Sequence, residues 1–153
     1  MRKKIKGYWF YGYSGVGKTL ASKYLNKKIS NTVLIDGDEV RKLISTDLDY
    51  TLKDREIQMF RLLGICKLII SNSLFPIVSA TSLNDNCLNH LQKNRIVVYN
   101  IKRNMKDAIK NNKTYKNKKN VIGVNLKMKK LKTEIIYNTG DKKFYNELRK
   151  LIF

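Results

Sequence analysis

A glycine-rich segment between an apolar run and an amphipathic run limits the folds open to this chain. Its residues, Gly12-Tyr-Ser-Gly-Val-Gly-Lys18-Thr19, match a glycine followed by four residues and then Gly-Lys-Thr. Residues 5–11 before it are β-branched and aromatic, which predicts a buried strand, and Leu20, Tyr24 and Leu25 after it lie at helical spacing. Strand, glycine loop and helix in this order predict a phosphate-binding loop (P-loop) in an α/β domain.

The residue types of this loop suit the binding of a nucleoside triphosphate. Glycines let backbone N–H groups turn toward phosphate oxygens, Lys18 supplies a point charge between the β- and γ-phosphates, and Thr19 offers a hydroxyl to Mg²⁺. The alternative is a chance glycine turn with an exposed lysine. We expect ATP or GTP with Mg²⁺, and the residues predicted to surround the phosphates are Gly12, Ser14, Gly15, Val16, Gly17, Lys18 and Thr19.

The rest of the chain alternates between strand and helix patterns. Strands are predicted at residues 32–35, 75–80, 95–101 and 133–137, the last as an edge strand. Helices are predicted from residue 53 onward and at 85–92 and 142–151. Strands that are apolar throughout indicate a parallel sheet with helices on both faces, within one domain over residues 1–153.

Charge is the unusual feature of the composition. The 153 residues carry 32 Lys and Arg against 12 Asp and Glu, a formal net charge of +20, and 42% of them are hydrophobic, enough for a sizeable core. The charge allows nucleic acid, anionic lipid or small phosphorylated ligands as partners and does not choose among them. Residues 102–132 are the most basic part, with Asp107 as their only acid, and predict a mobile, lid-like insertion. Its lysines either clamp an anion or form a solvated face.

Targeting and thiol signals point to the cytoplasm. Residues 1–6 resemble the basic start of a signal peptide, but the apolar stretch after them is too short, and no run approaches the roughly 18 apolar residues of a membrane span. Cys66 and Cys87 lack C-x-x-C spacing and predict buried thiols in a reducing compartment. We therefore expect a cytoplasmic protein without a membrane partner.

Acidic and basic residues follow the second predicted strand. Asp36-Gly37-Asp38 ends it, and the carboxyl ends of neighbouring parallel strands share one crevice with the P-loop. A carboxylate there can accept a proton during phosphoryl transfer or hold the water shell of the metal; the alternative is a tight turn with a helix N-cap at Asp38. Arg41 and Arg55 suit bidentate recognition of phosphate or sulfate, although each alone would more often be a solvated charge.

Four blocks together resemble the adenylylsulfate (APS) kinase family, which phosphorylates the 3′-hydroxyl of adenosine 5′-phosphosulfate. The P-loop is similar to the Gly-Leu-Ser-Gly-Ser-Gly-Lys of that family, and Leu34-Ile-Asp-Gly-Asp-Glu-Val-Arg41 resembles its Leu-Asp-Gly-Asp-x-x-Arg. Asp47-Leu-Asp-Tyr-Thr-Leu-Lys-Asp-Arg55 is similar to Asp-Leu-Gly-Phe-Ser-x-x-Asp-Arg, and Lys119-Asn-Val-Ile-Gly-Val-Asn125 resembles the stretch after the family's lid. The order of the four blocks is specific, whereas the P-loop alone is widely shared.

The resemblance implies roles for particular residues. Asp36 is expected to be the catalytic base, acting with Lys18, and Asp38 to support the metal or the substrate. Arg41 and Arg55 are expected to hold the acceptor nucleotide, and Tyr50 stands where a Phe of the family stacks on the base. Gln58 and Ser82 are expected at the acceptor too, since they stand where the family has a substrate-contacting Asn and the Ser of Ile-Ser-Pro. Arg103, which follows a predicted strand, is expected to be a lid arginine.

Departures from the family pattern fall on the acceptor side. Gln58 replaces the Asn, Thr81-Ser82-Leu83-Asn84 lacks the family's proline, the lid is shortened, and Val121 stands where some members have Phe. A related branch phosphorylates cytidine diphosphoramidate in bacterial capsule modification and has a similar proline-free block. The resemblance therefore implies a kinase with a P-loop fold that moves the γ-phosphoryl of ATP to the ribose 3′-hydroxyl of a small anionic nucleotide, APS or a related one.

Two alternatives stay open at this point. One is the cytidine diphosphoramidate kinase, which needs the same phosphoryl-transfer machinery. The other is a basic P-loop ATPase that binds nucleic acid, for which the charge would be the function. The Asp-Gly-Asp-x-x-Arg block favours a small-molecule kinase, so nucleic acid is the less expected partner. A homodimer is a further expectation.

Overall fold

Five parallel strands form one sheet in the part of the chain that the structure describes. The computed structural model describes residues 4–110, 112–116 and 119–152, so that residues 1–3 of the signal-like start and residues 111, 117 and 118 of the expected lid lie outside the described residues. The strands lie in the order β2-β3-β1-β4-β5. Their bounds are β1 Gly7–Tyr11, β2 Thr32–Asp36, β3 Phe75–Ala80, β4 Ile96–Lys102 and β5 Glu134–Tyr137. The predicted strands and the edge position of β5 are confirmed.

The central strand is buried on both faces because it carries large apolar side chains at successive positions. Trp9, Phe10 and Tyr11 are fully buried. Tyr11 pairs with Ala80 of β3 on one side and with Asn100 of β4 on the other. The carboxyl ends of β1, β3 and β4 therefore lie side by side, and the P-loop leaves the sheet from the middle of that edge.

Helices cover both faces of the sheet, as predicted. Their bounds are α1 Lys18–Asn26, α2 Gly37–Leu43, α3 Leu52–Ser71, α4 Asp85–Lys93, α5 Met105–Ile109 and α6 Lys142–Arg149. One apolar cluster unites the inner sides of α3 and α4 with Trp9 and Tyr11, and the other unites α1 and α6 with Tyr8 and Phe10. Alternate residues of β1 thus enter opposite clusters, because successive strand side chains point to opposite faces.

Side-chain caps fix where the longer helices begin. The Thr51 hydroxyl accepts a hydrogen bond from the Asp54 N–H (3.1 Å) and starts α3, and the Asn84 side chain does the same for α4. Each cap satisfies an N–H that has no partner within the helix. Cys66 of α3 and Cys87 of α4 are buried and unpaired with each other, as the cysteine spacing predicts.

The structure differs from the sequence-based expectation after β2. Residues 37–43 form the short helix α2, and its N-cap is Asp36, whose Oδ1 accepts from the Asp38 N–H at 2.9 Å. The alternative of an N-cap at Asp38 is therefore wrong. Within residues 102–132, the lid segment, the structure shows α5 and a 3₁₀ helix at Lys113–Lys116, and Leu131 packs into the core. In the described part of the chain, no helix has the length and apolarity needed to cross a membrane.

Candidate active site

The P-loop connects β1 to α1 through three glycines in the left-handed half of backbone space. Gly12, Gly15 and Gly17 have φ of 151°, 78° and 102°, values that a side chain at these positions would strain. Gly17 is also the N-cap of α1, and no side chain caps that end of the helix. The N–H groups of the first turn therefore remain for an anion, toward which the helix dipole also points.

Lys18 begins α1 and is largely buried in the cleft beside the loop. Its Nζ donates to the Tyr13 carbonyl oxygen at 2.7 Å. Burial lowers the pKa of Lys18 from 10.5 to about 8, while the carboxylates of Asp38 and Asp36 act in the opposite direction. A desolvated ammonium at this position is a strong partner for phosphate oxygens, because little water competes for it.

Three side-chain oxygens meet where β2 and β3 end. Asp36 Oδ2 accepts from the Thr19 hydroxyl at 2.8 Å and from the Ser79 hydroxyl at 3.1 Å. The register explains the second contact, because Asp36 pairs with Ser79 across the β2–β3 ladder. The carboxylate predicted to be the base thus lies directly beside the residue predicted to face Mg²⁺.

Two arginines and a tyrosine line the other end of the cleft. The guanidinium carbon of Arg41 lies 4.6 Å from the centre of the Tyr50 ring, and that of Arg55 lies 5.5 Å from it. Such contacts are cation–π interactions that fix the planes of both groups. Burial and the nearby charge of Arg41 lower the pKa of Arg55. The predicted acceptor residues are therefore together, with the Tyr50 ring against guanidinium groups.

Hydrogen bonds hold Arg55 between α3 and the lid segment. Its Nε donates to the Tyr50 carbonyl oxygen at 3.0 Å, and its Nη2 donates to the Asn120 carbonyl oxygen at 2.8 Å. The contact of Nη1 with the Ser82 hydroxyl is longer, at 3.4 Å. Arg55 thus connects the block predicted at residues 119–125 to the acceptor end of the cleft.

Gln58 is buried on the wall of the same cleft. Its Nε2 donates to the Gly37 carbonyl oxygen at 3.1 Å, which orients the amide, since only the nitrogen can donate. Its Oε1 is buried without a hydrogen-bond partner among the described residues. Gln58 therefore presents an unsatisfied acceptor, a feature that a buried polar group rarely keeps without a reason.

One cleft of about 720 Å³ contains most of the predicted site. The predicted residues that do not line it are Gly12, Val16 and Arg103. Val16 points its side chain into the core, and Gly12 is buried behind the loop. Arg103 follows β4 and lies near Gly140, with a guanidinium nitrogen 3.8 Å from where a Cβ at that glycine would stand. Its role as a lid arginine stays a prediction.

Two residues that shape this site are not predicted by any sequence motif. The sequence pattern predicts Ser79 only as part of an apolar strand, and no pattern indicates Asn138. Asn138 is buried, its Nδ2 donates to the Val16 carbonyl oxygen at 2.9 Å, and its Oδ1 accepts from the Gly140 N–H at 2.9 Å. Its position directly after the last strand was the available signal, because carboxyl ends of parallel strands meet at one edge.

The fold and this cleft define an α/β protein with a P-loop at the carboxyl edge of its parallel sheet. The family model for adenylylsulphate kinase matches residues 6–101. The adenylyl-sulfate kinase of Clostridium kluyveri is 34% identical over 86 residues, which cover 50% of this chain and 43% of that protein. The bifunctional enzyme CysN/CysC of Xylella fastidiosa is 32% identical over 90 residues, 53% of this chain and 14% of that protein. The chain thus spans less than half the length of these curated relatives.

A solved structure shares the fold over nearly the whole chain. The Mycobacterium tuberculosis APS kinase CysC, in complex with AMPPNP and APS, has a TM-score of 0.80 at 21% identity, covering 97% of this chain and 96% of that one. At this level of identity the likeness shows the fold alone. On the family match, which covers well over half of its residues, this chain belongs to the adenylylsulphate kinase family.

Proposed function

We propose that this protein is a kinase that transfers the γ-phosphoryl group of ATP to the ribose 3′-hydroxyl of a small nucleotide. The observation that carries the proposal is the hydrogen bond of 2.8 Å between Thr19 and Asp36. It joins the last residue of the P-loop motif to a carboxylate at the end of β2, on the same edge of the sheet. A phosphate-binding element and a proton acceptor therefore share one cleft, as phosphoryl transfer to an alcohol requires.

In this mechanism the chain mainly positions and neutralises charge. The P-loop N–H groups and Lys18 hold the β- and γ-phosphates of ATP. The acceptor oxygen attacks the γ-phosphorus, a new O–P bond forms, the bond to the β-phosphate oxygen breaks, and ADP leaves. Asp36 takes the proton of the attacking hydroxyl. Arg41 and Arg55 hold the acceptor's own phosphate and keep the hydroxyl in line.

The oxygens around Asp36 suit Mg²⁺, a hard cation that keeps several waters and is bound through few protein ligands. Thr19 would hold it, with Asp38 of the same cleft supporting it, and the ion would neutralise charge on the transferred group. No cluster of three or more His, Cys, Asp or Glu side chains occurs in the described ranges. Mg²⁺ in a P-loop site does not need one, because phosphate oxygens and water complete its shell.

The buried Gln58 supports a second acceptor, cytidine diphosphoramidate, beside APS. Its buried Oε1 has no hydrogen-bond donor in the part of the chain that the structure describes. Sulfate oxygens only accept hydrogen bonds, whereas a phosphoramidate carries N–H donors. The Thr81-Ser82-Leu83 block, which lacks the family's proline, lines the same side of the cleft through its first two residues. Both acceptors use the same transfer chemistry.

Release of ADP in the presence of Mg-ATP tests the proposal. The acceptors to compare are APS, cytidine diphosphoramidate and CDP, with single-stranded DNA as the probe for a nucleic-acid-dependent ATPase. Turnover with one of the nucleotides supports the kinase and identifies its acceptor. Stimulation by DNA alone would overturn it.

An Asp36→Asn variant tests the role of the base. It keeps an oxygen for the cap of α2 but cannot take a proton at neutral pH, so that transfer should fall by about 10²–10⁴-fold. Mg-ATP affinity should change far less. Glu147→Gln is the matched control, because Glu147 of α6 is an exposed carboxylate that pairs with Lys150 just after the helix. Full transfer activity in Asp36→Asn would assign the proton to another group.

A further inference from the structure

Side chains cap three carbonyl groups of the P-loop from three different parts of the fold. The Tyr13 carbonyl accepts from Lys18 Nζ (2.7 Å), the Ser14 carbonyl from the Tyr115 hydroxyl (2.7 Å), and the Val16 carbonyl from Asn138 Nδ2 (2.9 Å). Lys18 belongs to the loop itself and is needed at the phosphates. The other two caps come from the lid segment and from the end of β5.

A capped carbonyl fixes the direction of the next N–H group. Each peptide unit is planar, and in the trans form its C=O and N–H point in opposite directions. A hydrogen bond that holds the Ser14 carbonyl away from the loop interior therefore turns the Gly15 N–H inward. Inward-facing N–H groups are what a P-loop offers to phosphate oxygens.

The lid segment lies directly on this part of the loop. Asn112 Nδ2 donates to the Ser14 hydroxyl at 3.0 Å. A Cβ on Gly15 would lie 2.4 Å from the Ala108 carbonyl oxygen and 2.8 Å from Asn112 Nδ2, so the glycine is needed for this close approach. Ala108, Asn112 and Tyr115 of the lid segment thus lie against two consecutive loop residues.

We propose that Tyr115 is a positioning residue that couples the lid segment to phosphate binding, by holding the Ser14 carbonyl outward and the Gly15 N–H toward the nucleotide. The inference rests on the proposed function, because the phosphate chain of ATP is the ligand that the loop receives. Burial raises the pKa of Tyr115, so its hydroxyl stays protonated and can donate. Asn138 makes the corresponding contact with the Val16 carbonyl, and because it lies outside the lid segment and is buried, that contact does not depend on the lid segment. The affinity of the loop for phosphate therefore depends on the lid segment through the hydroxyl group of Tyr115.

The experiment compares the wild type with Tyr115→Phe, which removes one hydroxyl and keeps the ring. Tyr137→Phe is the matched control, because Tyr137 is exposed on β5 and does not line the cleft. Calorimetry would give dissociation constants for Mg-ATP and for Mg-tripolyphosphate, which carries the phosphate chain without the nucleoside. Thermal unfolding of each variant would report on folding.

The expected result is a rise of about 3- to 10-fold in both dissociation constants for Tyr115→Phe, the range for one hydrogen bond, with Tyr137→Phe unchanged. A purely structural tyrosine would lower the unfolding temperature and leave the tripolyphosphate constant unmoved. Constants within twofold of wild type, or a rise for ATP alone, would overturn the proposal. If the wild type binds ATP but Tyr115→Phe binds equally well, only this inference fails. If the wild type binds neither ligand, the proposed function fails and the inference falls with it.

Discussion

Replacing Lys18 with methionine should stabilise the free protein while removing nucleotide binding. Burial lowers the pKa of the Lys18 ammonium from 10.5 to about 8. Because one pKa unit corresponds to about 1.4 kcal/mol, burying the charged form costs roughly 3 kcal/mol. Methionine has a similar length and no charge. The variant loses the hydrogen bond to Tyr13, worth about 1 kcal/mol. The expected net gain in the free energy of unfolding is about 1–2 kcal/mol at pH 7.

Thermal unfolding in the absence of nucleotide measures this gain. For a chain of this size it corresponds to a rise of roughly 3–6 °C. Lys67→Met, at an exposed position of α3, controls for the loss of a positive charge. Mg-ATP should raise the unfolding temperature of the wild type and leave that of Lys18→Met unchanged.

The pH dependence of the stability difference between the wild type and Lys18→Met tests whether the buried charge is destabilising. Because the pKa of Lys18 is lower in the folded than in the unfolded chain, the unfolded chain binds more protons between pH 8 and 10.5, and the stability of the wild type rises with pH in that window. The advantage of Lys18→Met should therefore shrink as the pH approaches 10.5. A variant less stable than wild type at pH 7, or a constant difference up to pH 10.5, would show that the buried charge is not destabilising.

Two further predictions concern the same loop. The affinity of the wild type for Mg-ATP should fall by about tenfold for each pH unit above about 8, because Lys18 loses its proton there. Calorimetry at increasing pH measures this, and a constant affinity up to pH 9.5 would contradict it. Gly17→Ala should weaken Mg-ATP binding by at least about tenfold and destabilise the fold by about 1–3 kcal/mol, because φ is 102° and the added Cβ would lie 2.4 Å from a side-chain nitrogen. Gly64→Ala is its control: it lies in α3 with nothing within 4 Å, and chemical denaturation should show a gain of about 0.5–1 kcal/mol.

Local patterns predicted the elements of the fold better than their arrangement. The run before Gly12 and the apolar run at Phe75–Ala80 each form a strand, since both are too short for a typical helix and contain β-branched or aromatic residues. The order β2-β3-β1-β4-β5 could not be read from them, because it depends on contacts between distant parts of the chain. Helix α2 was expected only through the alternative of an N-cap at Asp38, two residues after the observed cap at Asp36, since it has only seven residues and begins at Gly37, a poor helix former.

The site could be predicted where each functional residue belongs to a local motif. Thr19 and Asp36 come from two such motifs, and the shared sheet edge brings them to 2.8 Å. The contacts of Arg55 with Asn120 and of Tyr115 with Ser14 span 65 and 101 residues, and no local pattern predicts which carbonyl a side chain will reach over such a separation.

The missed residues follow a rule that the sequence does contain. Ser79 is the penultimate residue of β3, and Asn138 follows β5 at the same edge of the sheet. A polar group inside a strand that is buried on both faces needs a partner, and at the carboxyl end of a parallel sheet the nearest partners are the backbone of the P-loop and the polar ends of neighbouring strands. Ser79 and Asn138 satisfy that need by binding Asp36 and the Val16 carbonyl. Ser79 and Asn138 are therefore site residues because they are buried polar groups at this edge, before any motif identifies them.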